Sequence, residues 1–209
     1  MLACFILRSS PKPHNSVDIT QHVYGEHRYP GLLVVQDVRT LHGSQFREAD
    51  LIVASPPCQA YSWRAMPWKK AKAAPPPDNT LFEACFRIQR EACEAAGRHI
   101  PLIVENVRGA QRFVGRARWN FGSYYLWGDT PALMPIAGSF NVAHNKASGT
   151  GQNPVAGRKG SGGSWFYEYG PGQGTRNTHS HSVKRRFLSA MIAKIPAPLA
   201  RHIAATFRP

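Results

Sequence analysis

The sequence predicts a single α/β domain with a mostly parallel sheet and a small irregular lobe. Short β-branched runs bounded by turn residues recur at Leu32–Val35, Leu51–Ser55 and residues 100–104, as expected for buried strands. One long amphipathic segment separates the last two runs, as the crossover helix between parallel strands would. With 209 residues, the chain is long enough for one core of this kind.

Two further strands are predicted near the start of the chain. Residues 1–7 are apolar and can form one strand, and residues 16–20 contain a shorter strand that leads to an acid, Asp18. The turn-rich residues 24–31 separate this strand from Leu32–Val35, which Asp37 follows closely.

The central helix is predicted at Thr80–Ala96. Residues 73–77 include three consecutive prolines and indicate an exposed loop. Asp78 or Asn79 then caps the helix, and Gly97 ends it. The residues that recur at helical spacing and should face the core are Leu81, Cys85, Ile88, Ala92 and Ala96.

The second half of the chain changes character with position. A strand is predicted at residues 122–129, and residues 131–180 are rich in Gly, Ser, Asn and His. Helices are predicted again at residues 183–193 and 198–207. We therefore divide the chain into an α/β core at 1–130, a small irregular region at 131–180 and C-terminal helices returning to the core at 181–209.

The formal net charge is +14, and it is distributed unevenly along the chain. From residue 140 onward there are ten Lys or Arg residues and a single acid, Glu168. Such a surface suits binding to a phosphate backbone, although a merely soluble basic surface would have the same composition.

Cysteine usage and hydropathy indicate the compartment. The four cysteines form no CxxC pair, and no stretch approaches the roughly 18 apolar residues of a membrane helix. Residues 1–7 lack the basic lead and cleavage site of a signal peptide. We expect reduced thiols in a cytoplasmic protein, of a bacterium or a phage-infected cell, with no membrane partner.

Two short segments hold most of the functional information. Pro56-Pro57-Cys58-Gln59 follows one strand, and Glu105-Asn106-Val107 follows the strand at residues 100–104. In open α/β sheets reacting groups collect beyond the carboxyl ends of such strands, so this cysteine and carboxylate are expected at one edge. The pair suits addition of a thiolate to an electron-poor ring while an acid protonates a ring nitrogen. The alternative is that Cys58 is a small buried hydrophobe.

These segments, with Ser62 after the first and a helix between them, resemble motifs IV and VI of the cytosine-5 methyltransferases. The resemblance implies a Rossmann-like S-adenosylmethionine-dependent methyltransferase sheet and a small, phage-like DNA (cytosine-5) methyltransferase of the restriction-modification type. By this resemblance Cys58 attacks C6 of cytosine, and Glu105 holds or delivers the N3 proton, which requires a pKa raised by burial. Asn106 would orient the Cys58 loop and assist substrate binding, or it would simply cap a turn.

The same resemblance implies S-adenosylmethionine as methyl donor and no metal. Asp18 and Ile19 lie where the family contacts the ribose of the cofactor, Asp37 where it contacts the adenine amino group, and Pro56 where the loop approaches the cofactor. The alternative for both acids is a polar residue that ends a strand. His179 and His181 are not accompanied by the Cys or acid ligands of a metal site.

Double-stranded DNA is the implied partner, with the target cytosine flipped out of the helix. Residues 131–180 occupy the position of the target-recognition region. Arg116 and Arg118 would replace the substrate-binding arginines of the eighth motif, or they would contact phosphate or solvent. Residues 195–204 resemble the tenth motif, whose helix packs beside the cofactor pocket.

The chain departs from the family near its start. The glycine-rich first motif should precede Asp18 by about twenty residues, but residues 1–15 contain no glycine. We therefore expect a truncated N-terminal β-α unit and an incomplete sheet edge, covered by self-association or by a partner. The alternatives are a catalytically impaired, methyltransferase-like DNA-binding protein and a tRNA cytosine-5 methyltransferase.

Overall fold

The computed structural model describes residues 3–7, 15–18, 32–62, 69, 73, 75–122, 124–134 and 195–207. These residues form a mixed α/β structure with an open sheet. By its internal contacts the chain divides into two units, Met1–Met134 with Arg201–Pro209, and Pro135–Ala200. Within the described ranges, none of the helices is long and apolar enough to cross a membrane.

The predicted strands are present, together with a short strand at Trp119–Phe121 and a short helix at Gln111–Val114 that were not predicted. The strands are β1 Ala3–Leu7, β2 Asn15–Asp18, β3 Leu32–Val35, β4 Leu51–Ser55, β5 Leu102–Asn106, β6 Trp119–Phe121 and β7 Tyr124–Gly128. The α-helices are α1 Thr80–Ala96, α2 Gln111–Val114 and α3 Ala197–Thr206, and 3-10 helices lie at Gly43–Phe46, Gln59–Tyr61 and Arg108–Ala110.

The described strands form one sheet with the order β3-β2-β1-β4-β5-β7-β6. β2 pairs in parallel with β3, and β4 pairs in parallel with β5. Because β1 is antiparallel to both β2 and β4, the strands β2, β3, β4 and β5 all point the same way. Their carboxyl ends therefore lie along one edge of the sheet, which we call the C-edge.

The expectation of a mostly parallel sheet is wrong, because only the β2–β3 and β4–β5 pairs are parallel. The length of the connecting segment explains two of the four antiparallel pairs among the described strands, β1–β2 and β6–β7. The short segment 8–14 joins β1 to β2, whereas a parallel crossover needs a dozen or more residues. β6 and β7 are joined by a tight turn in which Gly122 has a φ of 58°, a conformation that favours glycine. Both connections therefore make antiparallel neighbours.

The main core lies between α1 and one face of the sheet. Side chains alternate between the two faces of a strand, and Ile52 and Ala54 of β4 join Leu102 and Val104 of β5 against α1. The predicted stripe of α1 is confirmed: Cys85, Ile88 and Ala92 are buried, and Leu81 and Ala96 are partly buried against the same core.

The two ends of α1 are those that the sequence predicts. Asp78 Oδ1 accepts a hydrogen bond of 2.8 Å from Thr80 N, and Gly97 ends the helix with a left-handed φ of 63°. Phe82 packs edge-on against Trp127 of β7, with ring centroids 5.3 Å apart, so the start of α1 is fixed over the β5–β7 half of the sheet.

A charged cluster docks the 3-10 helix Gly43–Phe46 onto α1. Glu91 Oε2 accepts a hydrogen bond of 2.6 Å from Gly43 N, and both Glu91 oxygens accept from Arg87 Nη1, at 2.8 and 2.9 Å. Arg87 also donates to the carbonyl oxygens of Leu41 and Val38, at 2.9 and 3.1 Å. The turn after β3 is thereby held against the helix.

Several predictions fall on residues outside the described ranges. They include Ile19, most of the region 131–180 with His179 and His181, and the helix at residues 183–193. Of the C-terminal helices, α3 is described, and its Leu199 and Ile203 are buried.

Candidate active site

The C-edge brings the two predicted catalytic segments together. β4 and β5 are neighbours in the register Ile52↔Leu102, Val53↔Ile103 and Ala54↔Val104. One step further along both strands lie Ser55 and Glu105, and Cys58 follows on the loop that leaves β4. The segments that carry Cys58 and Glu105 therefore lie at the same edge of the sheet.

Asn106 links the two segments directly. Its side chain is only 1% exposed, and Nδ2 donates a hydrogen bond of 3.0 Å to the carbonyl oxygen of Pro56. Its Oδ1 accepts from the backbone N of Val107 at 2.8 Å. The first bond holds the loop that leads to Cys58, and the second caps the turn after β5. A contact is thus present for each of the two expected roles of Asn106.

Cys58 lies at the start of the 3-10 helix Gln59–Tyr61 and is partly exposed. Its carbonyl oxygen accepts hydrogen bonds from Tyr61 N at 3.1 Å and from Ser62 Oγ at 2.8 Å. The loop is therefore held by its own backbone and by the serine that follows the tetrapeptide. A free, partly exposed thiol in a fixed loop is available to react with a ligand.

Glu105 has the protonation behaviour that an acid catalyst needs. The residue is partly buried, and burial raises the pKa of its carboxyl group to about 7. The hydroxyl of Ser55 lies close enough to oppose this shift in part, but its Oγ does not reach hydrogen-bond geometry with any group in the described part of the chain. Near neutral pH the carboxyl group is consequently a mixture of protonated and ionised forms.

Tyr124 is a second titratable neighbour of Glu105. Burial, and then the charge of Glu105, raise the pKa of the Tyr124 hydroxyl well above its usual range. Glu105 pairs with Leu126 on β7, so Tyr124, two residues before Leu126, lies on the same face as the carboxyl group. Tyr124 therefore stays neutral and forms part of the wall around Glu105.

The predicted cofactor acids lie at two adjacent strand ends. Asp18 is the last residue of β2 and is paired in register with Val35, the last residue of β3, which Asp37 follows closely. The Asp37 carboxylate accepts hydrogen bonds from Arg39 N and Nε, both at 2.9 Å, and the Arg39 guanidinium lowers the pKa of Asp37. Pro56 is buried just beyond the end of β4, and β1 lies between β4 and these two strands.

Arg116 and Arg118 precede β6 and are both exposed. Arg118 is tied to the sheet, because its backbone N donates to Leu126 O at 2.9 Å and its Nη1 donates to Gly128 O at 3.3 Å. Trp119 then pairs with Leu126, two strands away from Glu105. No contact of either arginine with Cys58 or Glu105 is seen among the described residues.

Three contributors to this site were not predicted from the sequence. Ser55 and Tyr124 lie beside Glu105, and Tyr61 anchors the Cys58 loop through its backbone. Position alone could have indicated Ser55, which ends the strand before the proline pair. Tyr124 needed the β5–β7 pairing, which no local pattern supplies.

Comparisons with known proteins identify no family for this chain. No protein-family model, curated protein or solved structure matches it. Within the described ranges, no group of three or more His, Cys, Asp or Glu side chains is arranged to hold a metal ion.

Proposed function

We propose that this protein is a DNA methyltransferase that transfers a methyl group from S-adenosylmethionine to C5 of cytosine through a covalent bond between Cys58 and C6. The observation that supports this most directly is the parallel β4–β5 pair, which places the Cys58 loop and Glu105 at one edge. The proposal rests on two short segments and on their placement, since no family model matches the chain.

The chemistry requires an acid beside a thiolate. Attack by the Cys58 thiolate forms the Sγ–C6 bond and breaks the C5=C6 π bond, and the electron pair shifts toward N3. Glu105, with a pKa of about 7, supplies a proton to N3 at physiological pH. C5 would then be nucleophilic toward the sulfonium methyl group of bound S-adenosylmethionine, which would leave as S-adenosylhomocysteine. Removal of the C5 proton by a base would re-form the C5=C6 bond and expel the Cys58 thiolate, and N3 would return its proton to Glu105.

Asn106 and Ser62 are the positioning residues of this reaction. The bond from Asn106 Nδ2 to Pro56 O ties the loop to β5, and the bond from Ser62 Oγ to Cys58 O holds the backbone of the nucleophile. A nucleophile held in place loses less entropy on reaching the transition state, which is a large part of catalysis by proximity.

The order of the strands supports a nucleotide-binding sheet. Reading β3-β2-β1-β4-β5, the strands have the order of a doubly wound fold, in which ligands bind at the carboxyl ends of strands near the point where the order reverses. Bound there, S-adenosylmethionine would supply an electrophilic methyl group. Asp18 ends β2 and Asp37 follows β3, and these adjacent positions at the C-edge suit contacts with its ribose and adenine.

The part of the cofactor site that binds methionine does not fit as well. Within the five strands β3-β2-β1-β4-β5, β1 is the middle strand, but it runs antiparallel to β2 and β4. Its carboxyl end, Leu7, therefore lies at the edge opposite the C-edge. The segment 8–14 that follows contains no glycine and leads directly into β2. Among the described residues, no glycine-rich turn follows a strand at the C-edge.

This misfit favours a second candidate, a catalytically impaired, methyltransferase-like protein that binds DNA. The basic composition suits phosphate binding whether or not the methyl donor binds. A tRNA cytosine-5 methyltransferase would use the same residues on another substrate. Competition between duplex DNA and tRNA for binding distinguishes a tRNA methyltransferase from the proposed DNA methyltransferase.

A covalent trap tests the proposal. The full chain is incubated with S-adenosylmethionine and duplex DNA containing 5-fluorocytosine, and protein–DNA adducts are measured by mass. Since fluorine cannot leave as a proton does, an active enzyme should remain attached through Cys58. Cys58→Ala should abolish the adduct, and Cys93→Ser, at a partly exposed cysteine on α1, should retain it. Absence of an adduct with DNA binding intact would favour the impaired protein.

A further inference from the structure

The loop that bears Cys58 lies against an arginine-containing segment. The 3-10 helix Gln59–Tyr61 contacts the 3-10 helix Arg108–Ala110. Beyond it, the rings of Tyr61 and Phe113 are in tilted contact, with centroids 6.2 Å apart. The turn after β5 is therefore a neighbour of the nucleophile loop as well as of Glu105.

Asn79, just before α1, joins these two segments through its side chain. Its Oδ1 accepts a hydrogen bond of 2.9 Å from the Tyr61 hydroxyl, and its Nδ2 donates to the carbonyl oxygen of Phe113 at 3.3 Å. Three separate parts of the chain thus meet at Asn79. The position of Phe113 relative to the Cys58 loop is fixed by this bridge.

The outer side of this segment is basic and partly aromatic. Arg108 and Arg112 are both exposed, the first on the 3-10 helix Arg108–Ala110 and the second on α2, which follows it directly. Phe113 is 40% exposed despite its contact with Tyr61. Residues 106–128 contain four arginines and no acid, so the segment as a whole is strongly positive.

Two acids near Tyr61 lie at the start of α1, beside Asn79. Asp78 and Glu83 are the charges that act on the Tyr61 hydroxyl after burial, and Asp78 accepts hydrogen bonds from Thr80. Both precede or begin α1, whereas Arg108 and Arg112 follow β5.

We propose that Arg108, Arg112 and Phe113, which we call the arginine–aromatic surface, bind the polynucleotide strand beside the reacting base. The two guanidinium groups contact phosphates, and the exposed ring of Phe113 stacks on an unpaired base next to the target. The assignment of the target rests on the proposed function. The chemistry recognised, a phosphodiester backbone with an unpaired base, is the same in DNA and RNA.

The arginines are tested by the salt dependence of binding. Fluorescence anisotropy of a labelled duplex with one mismatched cytosine is followed in about 50 to 200 mM salt, a range over which phosphate contacts change affinity strongly. Loss of two phosphate contacts in Arg108→Ala/Arg112→Ala should lower the log–log slope by about 1.8 and weaken binding at least about tenfold. Arg47→Ala/Arg90→Ala removes the same charge from exposed positions elsewhere and should retain most of the slope.

Phe113 is tested by keeping or removing the ring. Phe113→Leu should weaken binding to the mismatched duplex by about tenfold, the usual effect of losing one stacked base, and Phe113→Tyr should not. A fully paired duplex should show a smaller difference between these two variants, because it presents no unpaired base. An RNA hairpin with a loop cytosine, used as a parallel probe, shows which polynucleotide binds more tightly.

The outcomes distinguish a failure of the arginine–aromatic surface from a failure of the proposed methyl transfer. Equal slopes for the Arg108/Arg112 and Arg47/Arg90 double variants, with equal affinity for Phe113→Leu and Phe113→Tyr, would overturn the surface even if the covalent adduct forms. Arginine- and ring-dependent binding without an adduct would support the surface and count against methyl transfer.

Discussion

Asn106 Nδ2 donates a hydrogen bond of 3.0 Å to the carbonyl oxygen of Pro56, and this bond joins the carboxyl ends of β5 and β4. Both strands point to the same edge, so the bond connects the loop that carries Cys58 to β5, the strand that carries Glu105. The side chain is buried, and both of its polar ends are used. Stability and site geometry therefore depend on the same residue.

Asn106→Ala should lower the free energy of unfolding by about 2 to 4 kcal/mol, because it leaves the Pro56 carbonyl and the Val107 N–H buried without partners. Chemical denaturation measures the change. Asn120 is a matched control, since it is exposed on β6 and its Nδ2 donates only to Gly122 O at 3.2 Å. Asn120→Ala should cost less than about 0.5 kcal/mol. Equal effects at the two positions would contradict a structural role for Asn106.

Glu105 should make the protein less stable as the pH rises. Burial raises its pKa in the folded state to about 7 from an ordinary value of 4.5, so the folded chain binds more protons than the unfolded chain between these values. The contribution of protonated Glu105 is complete below about pH 4.5 and is lost as the pH rises through about 7. Glu105→Gln should therefore gain about 1 to 3 kcal/mol over the natural chain at pH 8, but little at pH 4.5.

Denaturation midpoints measured from pH 4.5 to 8 test this expectation. Glu94→Gln serves as the control, because Glu94 is exposed near the end of α1 and the same chemical change is made there. The difference between Glu105→Gln and the natural chain should grow with pH, and the difference for Glu94→Gln should not. Parallel profiles for all three proteins would mean that Glu105 is solvated like an ordinary surface acid.

Gly43 should tolerate no side chain. A Cβ at this position would lie 2.1 Å from the carbonyl oxygen of Ile88 and 2.8 Å from the Glu91 Cβ, so Gly43→Ala must push the 3-10 helix away from α1. Overpacking of this kind costs roughly 1 to 3 kcal/mol, and the loss of the Gly43–Glu91 hydrogen bond adds to it.

Gly97→Ala separates this clash from the conformational effect of glycine. At Gly97 the added Cβ meets no atom within 4 Å, and only the positive φ of 63° opposes the substitution, at a cost of about 1 kcal/mol. Denaturation should therefore rank Gly43→Ala as the more destabilising variant. The reverse order would argue against the packing of the Gly43–Phe46 turn on α1.

Local patterns predicted the elements well where one residue type determines the local conformation. The bounds of α1 follow from Asp78 and Gly97, and β3 and β4 follow from β-branched runs. β5 begins two residues later than expected, because Asp129 Oδ2 accepts from Leu102 N, a contact with a distant part of the chain. β6 was missed because it is short, although the aromatic alternation of exposed Trp119 and buried Phe121 before Gly122 could have indicated a hairpin.

The pairing of the strands was harder to predict than their positions. β1 was expected as a strand, but its antiparallel placement between β2 and β4 depends on contacts between strands and not on the apolar run itself. For the site, the meeting of Cys58 and Glu105 at one edge follows from strand ends alone. The contact of Asn106 with Pro56 matches the expected role, whereas the engagement of Asp37 by Arg39 needed the turn geometry.

Asp37 and Arg39 provide a test of the cofactor site. The Asp37 carboxylate is occupied by Arg39, which must share it if the acid receives the adenine amino group of S-adenosylmethionine. Arg39→Ala should therefore leave affinity for the cofactor unchanged or raise it a few-fold. Asp37→Ala should weaken it about tenfold, the usual effect of losing a hydrogen bond to a charged group.

Calorimetric titration of the full chain with S-adenosylmethionine distinguishes these effects. Asp78→Ala is the matched control, because Asp78 is an exposed acid that bonds to Thr80 and does not follow a strand of the C-edge. Loss of affinity in Asp37→Ala but not in Asp78→Ala would place the adenine at the end of β3. Equal affinities for the two variants would exclude Asp37 from the site, and the parallel ends of β2 and β3 would then have no part in binding the methyl donor.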